Sequence, residues 1–295
     1  MLINQSNLSS LFSGFKTSFN KGLTQAPSHY KDIAMTVPSQ AREENYAWLG
    51  QFPKLREWLG DRVINSLTAN GYTIKNKLFE NTLSVPRTDI EDDAYGIFSP
   101  LFSEMGRVAG EHPDELVFDL LASGFTTPCY DGQFFFDTDH PVKDDSVSNM
   151  QAGSQPAWFL IDTSRSIKPF IFQERSPYEL TNLVNPTDEN VFMRDEYLYG
   201  VRARANAGFG IWQLAFGSKA TLDATNYAAA RAAMMGFKGE QGRPLGIKPD
   251  TLVVGPELES EALALIQNEL IINAGVSTSN QWSGTAKLIV SPWLA

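Results

Sequence analysis

The chain of 295 residues has little of the chemistry that enzymes and secreted proteins use. It contains a single cysteine and three histidines. One cysteine excludes an intrachain disulfide framework and fits a protein that folds in the cytosol. The N-terminus has no basic region followed by an apolar run, so no signal peptide is predicted. No apolar run approaches the roughly 18 residues that a bilayer-spanning helix needs, so we expect no membrane partner.

Basic residues are also scarce relative to acidic ones. Lys and Arg number 24 against 34 Asp and Glu, which gives a net charge of −10. Proteins that bind nucleic acid by neutralising phosphates usually carry a basic face, so sequence-specific DNA binding is not expected. An acidic chain can still line a container that holds DNA without binding it tightly.

The sequence also lacks the common catalytic and phosphate-binding motifs. It has no G-x-S-x-G elbow, no Walker A pattern and no G-x-G-x-x-G pattern. Enzymes need groups that converge on one point, and the sequence offers no such set. We therefore predict no catalytic residue, no cofactor and no metal ligand.

The segment from Pro113 to Pro141 is the one place that resembles an active site. It contains Cys129 and the run Asp137-Thr138-Asp139-His140-Pro141. A zinc site usually needs three or four ligands at characteristic spacing, whereas Asp-x-Asp-His-Pro is also typical of a turn whose carboxylates accept backbone N–H bonds. We predict the turn, with only a mild loss of stability if His140 is removed. A cytosolic α/β enzyme with an Asp/His site around Asp137 to His140 stays as the alternative function.

Apolar residues near the N-terminus recur at helical spacing: Leu8, Leu11, Phe12, Phe15 and Phe19. They predict an amphipathic helix, which either lies along a neighbouring molecule or packs on its own domain. Beyond a polar segment to residue 44, the pattern indicates a long two-stranded β excursion over residues 45–88, with a turn at Asn70-Gly71. Such a ribbon is marginal by itself and needs a surface to lie against.

The remaining two thirds divide into a helical region, a β region and an α/β region. A spine helix is predicted from Asp89, with an apolar stripe of Ile97, Leu101, Met105 and Val108 and a break or kink at Pro113. Strands follow at 158–162, at 170–172 and across 191–216. The last eighty residues or so alternate helix and strand: helix 221–235, strand 251–254, a helix from Pro256 and strand 287–290.

Motifs along nearly the whole chain carry a family resemblance. They are Ala26-Pro27-Ser28-x-Tyr30, Tyr46-x-Trp48-Leu49-Gly50, Glu57-Trp58-x-Gly60-x-Arg62, Asp89-x-Glu91-Asp92-Asp93, Glu104-Met105-Gly106-Arg107, Cys129-Tyr130-Asp131-Gly132-Gln133, Asp139-His140-Pro141, Lys168-Pro169-x-Ile171-x-Gln173-x-Arg175 and Val191-Phe192-Met193-Arg194. In combination they resemble the major head subunit of Mu-like bacteriophages and prophages. Because the chain begins and ends about where such subunits do, we expect it to be full length.

The resemblance implies an α+β protein with the tailed-phage major capsid fold. Its expected parts are an N-terminal arm (1–44), an extended β loop (45–88), a peripheral domain with a spine helix (89–217) and an axial domain (218–295). In the commoner arrangement the axial α/β unit precedes the returning strands of the peripheral domain. Here it comes last, which is consistent with a circularly permuted subunit.

The resemblance also implies a function and partners. The protein would self-assemble into pentamers and hexamers of an icosahedral head that encloses double-stranded DNA, built in the host bacterial cytoplasm and found in the virion capsid. A scaffolding protein or maturation protease, a portal and a decoration protein would be its partners. A separate scaffolding protein is expected because only a short amphipathic helix precedes the arm. The candidate contacts between subunits are Trp48, Trp58, Arg62, Phe12 and Phe15.

Overall fold

The computed structural model describes residues 2–49, 71–92, 94–143, 145–239, 242–273 and 276–295. In this part of the chain the α-helices are α1 Gln5–Gln25, α2 Tyr30–Ile33, α3 Arg87–Glu91, α4 Ser99–Ala122, α5 Glu189–Arg194, α6 Ala224–Met235 and α7 Glu259–Ile266. The strands are β1 Ala34–Pro38, β2 Glu43–Asn45, β3 Thr73–Lys75, β4 Lys77–Pro86, β5 His140–Val142, β6 Asp145–Val147, β7 Met150–Gln151, β8 Trp158–Ile161, β9 Phe170–Leu183, β10 Glu196–Phe209, β11 Ala215–Ser218, β12 Thr251–Val254, β13 Leu270–Asn273, β14 Val276–Ser279 and β15 Lys287–Val290.

A four-stranded sheet supports the spine helix α4. Its order is β1-β9-β10-β4, with β1 parallel to β9 and the other neighbours antiparallel. Apolar and polar residues alternate on β10, where Val201, Ala203 and Ala205 are buried whereas Arg202 is exposed. Strand β4 pairs with β10 along its whole length. The far arm of the predicted ribbon is therefore part of this sheet. Asn70 of the predicted Asn70-Gly71 turn lies outside the described residues.

The spine helix runs through the residue that was predicted to interrupt it. Helix α4 is continuous from Ser99 to Ala122, with Pro100 in its first turn and Pro113 inside it. Proline removes one helical hydrogen bond and usually kinks the helix. Here Ala109, Pro113 and Val117 all lie on the buried face, so packing on both sides of Pro113 holds the helix together. The predicted break is wrong for this reason.

A five-stranded sheet forms the centre of the larger core, with the order β15-β12-β8-β11-β7. Strand β8 pairs antiparallel with both β11 and β12, and β12 runs parallel to β15. All four residues of β8 and of β12 are buried, which explains why both read as unbroken apolar runs. The sheet takes strands from both sides of the predicted domain boundary at residues 217 and 218, which itself falls within β11.

Buried apolar side chains of the described residues form two clusters. The larger one surrounds the five-stranded sheet and the C-terminal half of α4. The smaller one joins α1 to the N-terminal half of α4 and to strands β9 and β10; it includes Phe15, Phe19, Phe102 and Tyr199. Helix α1 is thus part of the subunit's own core, which is the second of the two interpretations that the sequence left open.

Candidate assembly surfaces and a buried polar cluster

Helices α1 and α4 approach each other closely because glycine lies at their contact. A Cβ atom on Gly106 would lie 2.0 Å from the carbonyl oxygen of Phe19, and one on Gly22 would lie 1.9 Å from that of Ser103. No side chain fits into such a space. The backbones therefore touch at these positions, and α1 keeps one fixed place on the spine.

Two of the predicted contact residues lie on α1. Phe15 is 1% exposed, and its ring stacks on Phe102 with the centroids 4.1 Å apart. Phe12 is half-buried, with its ring centroid 6.3 Å from that of Tyr199. Phe15 is therefore enclosed in the subunit's own core and has almost no surface left to contact a neighbouring subunit, whereas Phe12 stays partly exposed.

The base of the predicted extended loop is tied down by a buried polar network. Strand β2 pairs with β3, so the two ends of the segment 50–70 are held side by side. The Tyr46 hydroxyl donates to Gln173 Oε1 over 2.8 Å, and Gln173 Nε2 donates to Asn76 Oδ1 over 2.8 Å and to the Ile74 carbonyl over 3.1 Å. Since Gln173 lies on β9, the network fastens the loop base to the four-stranded sheet.

Of the predicted contact residues at this loop, Trp48 lies at its base. Trp48 is half-buried, with its ring edge-on to Tyr46 at 6.3 Å between centroids. Trp58 and Arg62 lie outside the described residues. Their role between subunits stays a prediction.

The loop base should be sensitive to alkaline pH. Burial raises the pKa of Tyr46 and of Tyr72 to about 12 each, against about 10 in an unfolded chain. Between these values the unfolded state releases its phenolic protons first, so the free energy of unfolding falls as pH rises, by up to about 1.4 kcal/mol per tyrosine per pH unit. We expect the Tm to drop between pH 10 and 12. Thermal melts should show a shallower drop for Tyr46→Phe, and equal slopes would contradict this account.

The spine helix presents an apolar row that its own subunit does not cover. Phe102, Met105 and Ala109 are buried, whereas Leu101 and Val108 are about half exposed and Ile97, just before the helix, is 66% exposed. The predicted stripe therefore combined a residue that faces the core, Met105, with residues that face outward. Both faces are apolar, and spacing alone does not tell which one the chain itself covers.

A second exposed apolar group lies at the turn between β9 and β10. Phe192 is 81% exposed and Met193 is 70% exposed, both on the short helix α5. Leu183, the last residue of β9, is also exposed. A monomeric protein rarely leaves such side chains together in water. Phe192 and Met193 belong to the Val191-Phe192-Met193-Arg194 motif, but nothing in the pattern of this motif indicates that their side chains face outward.

A buried polar cluster lies after the spine helix. His140 is fully buried, with its ring stacked on Trp212 at 4.0 Å between centroids. Its Nδ1 lies 2.8 Å from Asp131 Oδ2, and its Nε2 lies 3.2 Å from Asn149 Oδ1. The Cys129 thiol donates to Asp131 Oδ1 over 3.1 Å. His140 is therefore a core residue, and the mild effect expected for its loss does not fit this burial.

Asp137 behaves as the turn interpretation predicted. One of its carboxylate oxygens accepts the Phe134 N–H over 3.2 Å, and the other accepts the Thr138 N–H over 2.7 Å. Asp139 is exposed. The acid in contact with His140 is Asp131, which was not among the residues predicted for this site. The tight spacing Cys129-x-Asp131 was the available signal, but only the fold brings His140 to it.

The cluster does not have the electrostatics of a nucleophilic active site. Burial, reinforced by the Asp131 carboxylate, raises the pKa of the Cys129 thiol far above its usual range. Reactive cysteines need the opposite, a thiolate stabilised by nearby positive charge. Burial acts to raise the pKa of Asp131, but its contacts with His140 and Cys129 outweigh that effect and the pKa is lowered.

A family model described as the Mu-like prophage major head subunit gpT matches residues 8–294. The chain belongs to this family. The major head subunit of the Mu-like prophage FluMu of Haemophilus influenzae is 45% identical over 297 residues, covering 96% of this chain and 96% of that protein. Membership makes this head subunit a structural protein of the virion capsid and gives no support to the enzyme alternative.

Solved capsid structures confirm the fold of the head subunit. A chain of the procapsid of bacteriophage JBD30 superimposes with a TM-score of 0.87 and 46% identity, covering 99% of this chain and 100% of that one. A chain from the JBD30 capsid decorated with minor capsid protein trimers gives a TM-score of 0.79 and 36% identity, with 100% of both chains covered. The predicted tailed-phage major capsid fold is therefore confirmed. Within the described residues, no helix of this head subunit has the length and apolarity to cross a bilayer.

Proposed function

We propose that this head subunit forms the hexamers and pentamers of an icosahedral shell that encloses double-stranded DNA. The supporting observation is the pair of uncovered apolar surfaces: the spine row of Ile97, Leu101 and Val108, and the group of Leu183, Phe192 and Met193. They lie on separate elements of one subunit. A shell subunit needs several distinct contacts of this kind, because neighbours surround it on all sides.

Within the predicted extended loop of residues 45–88, the part between β2 and β3 is proposed to reach an adjacent subunit. The base of this part is held by the pairing of β2 with β3 and by the Gln173 network. Trp58 and Arg62 are the proposed contacts within that segment, and the exposed edge of Phe12 is a third. In this division the arm covers 1–44, the peripheral domain 89–217 and the axial domain 218–295. The five-stranded sheet then combines β12 and β15 of the axial domain with β7, β8 and most of β11 from the peripheral domain.

The proposed partners follow from the shell. The net charge of −10 is compatible with a container that holds DNA loosely. A scaffolding protein or maturation protease and a portal would act during assembly in the bacterial cytoplasm. The JBD30 capsid is decorated with minor capsid protein trimers, and we propose a decoration protein for this shell as well.

We expect this chain expressed alone to give tubes, particles of mixed size or unassembled subunits. Helix α1 is packed into the subunit's own core through Phe15 and Phe19, so it is not free to act as an internal scaffold and set the curvature. Negative-stain microscopy and size-exclusion chromatography measure the outcome. Coexpression with the scaffolding protein of the same phage is the control and should give uniform shells. Uniform shells from the single protein would refute the need for a scaffold, and a small closed oligomer in both samples would refute the shell itself.

A further inference from the structure

Three potential metal ligands meet inside the subunit, and they are not the set that the sequence suggested. Cys129, Asp131 and His140 place one ligand atom each within 4.8 Å of the other two. Cys129 and His140 are buried, and the Asp131 side chain is 9% exposed. Thiolate, carboxylate and imidazole are the three ligand types that zinc takes from proteins. Both carboxylate oxygens of Asp137, by contrast, already accept hydrogen bonds from backbone N–H groups.

The neighbours of His140 decide which ring nitrogen carries a proton. Asn149 Nδ2 donates to the Phe135 carbonyl over 2.8 Å and lies 3.3 Å from that of Ala215, while Asn149 Oδ1 accepts the Asp137 N–H over 2.9 Å. The amide is thereby fixed with its oxygen toward the ring. His140 Nε2 must then be the donor to Asn149 Oδ1, and in a neutral imidazole the lone pair lies on Nδ1.

That lone pair faces an anion. Nδ1 lies 2.8 Å from Asp131 Oδ2, so either a proton or a metal ion must lie between these two atoms. A cation at this point turns repulsion into attraction. A histidine that binds zinc is usually held in this manner: its second ring nitrogen donates to a fixed acceptor, here Asn149 Oδ1.

The other ligands are also held in position. The Asp131 carboxylate accepts the Gln133 N–H over 3.1 Å and the Cys129 thiol over 3.1 Å. Trp212 covers one face of the imidazole with its ring nearly parallel, at 13°. The ligand atoms therefore converge on one point and are shielded from bulk water.

We propose that Cys129 Sγ, one carboxylate oxygen of Asp131 and His140 Nδ1 bind a divalent transition metal of the zinc class. On binding, the Cys129 S–H bond breaks, its proton passes to solvent and a sulfur–metal bond forms. Thiolate, carboxylate and neutral imidazole balance a charge of +2 together. Three protein ligands leave one coordination position, which a water molecule fills. The proposal revises the prediction that the chain has no metal ligand.

The role of the ion is structural. It joins the turn at Cys129 and Asp131, which follows the spine helix, to His140 at the start of β5, and through Asn149 to strand β11 of the five-stranded sheet. The ion would thus fix the junction between the spine and the larger core.

The test measures metal directly in unassembled subunits, so it does not depend on shell formation. Protein is purified without chelator from zinc-supplemented medium and assayed by elemental analysis. We expect about one zinc per chain, and cobalt substitution should give the absorption of a thiolate–cobalt bond. Chelation should lower the Tm by roughly 5 °C, reversed by zinc.

Matched variants locate the ion. Cys129→Ala and Asp131→Asn should each bind at least tenfold less zinc and lose the response of the Tm to zinc, whereas Asp139→Asn, an exposed acid in the same segment, should behave as the wild type. Retention of zinc in Cys129→Ala would place the ion elsewhere and overturn the proposal. Wild-type protein with less than about one zinc per ten chains and no cobalt spectrum would also overturn it. That result would mean that a proton on Nδ1 joins His140 to Asp131. The wild-type measurement decides the matter even if a variant fails to fold.

Discussion

Deletion of residues 51–70 should give a subunit that folds but does not form closed shells. The ends of this segment are held together without it, because β2 pairs with β3 and the Tyr46 N–H donates to the Tyr72 carbonyl over 2.8 Å. A Gly-Ser linker after Gly50 can therefore join the chain to Gly71. The folded core keeps both hydrophobic clusters, so we expect the Tm to change by only a few degrees while assembly is lost.

The bounds of this deletion depend on the structure. A cut from Gln51 to Glu80 would also remove β3 and the start of β4, where Glu80 pairs with Arg202 of β10. Loss of assembly would then reflect a damaged sheet. Ending at residue 70 leaves every described strand intact.

Two further variants separate length from side-chain contact. Replacing residues 51–70 by Gly and Ser at equal length keeps the reach and removes the contacts, while Trp58→Ala removes one proposed contact alone. Trp48→Ala is the comparison. Because Trp48 packs on Tyr46 in its own subunit, this substitution should lower the Tm. Shells of normal size in negative stain from the deletion, assembled with the scaffolding protein, would show that the segment is not needed between subunits.

Gly106→Val should displace the N-terminal helix from the spine. The new Cβ would lie 2.0 Å from the carbonyl oxygen of Phe19 and 2.9 Å from the Leu23 backbone nitrogen. These are backbone atoms of another helix, so no side-chain rotation relieves the clash. Helix α1 must move away, and the burial of Phe15 and Phe19 is reduced with it. We expect a loss of about 3 kcal/mol or more and a fall in Tm of roughly 6–12 °C.

The matched control is a glycine on α1 that touches nothing. A Cβ on Gly14 would meet no atom within 4 Å, so Gly14→Ala should be neutral or stabilise the helix by up to about 1 kcal/mol. Scanning fluorimetry measures both variants, and limited proteolysis should release the N-terminal segment first in Gly106→Val. Equal melting temperatures for the two variants would mean that the close helix contact does not hold α1 in place.

Much of the local structure followed from residue patterns. The unbroken apolar runs at 158–161 and 251–254 are buried strands, and the alternation from Val201 to Ala205 marks a strand with one covered face. Asp223 and the Ala-rich run after it form helix α6, with the Asp223 side chain accepting the Asn226 N–H over 2.8 Å. The predicted strands and helix are found because side-chain period is a property of neighbouring residues.

The partners of those elements did not follow from the pattern. Strand β4 has the alternation of a ribbon arm, but it pairs with β10 more than a hundred residues later in the chain. The spine has two apolar faces, and α1 covers the one with Phe102 and Gly106 while leaving Leu101 and Val108 exposed. The choice is made by glycines that let two backbones touch, a property that no hydrophobic period records.

The buried cluster shows the same division most clearly. The sequence alone determined that a turn with a capping aspartate precedes His140, and the bonds of Asp137 confirm it. The family, and with it the capsid function, also followed from residue patterns spread along the chain. Only the tertiary structure decided that His140 points inward to Asp131 and Cys129 beneath Trp212. The reason is that a short loop can turn its polar side chains to either side at little local cost, and the packing of distant strands selects the side.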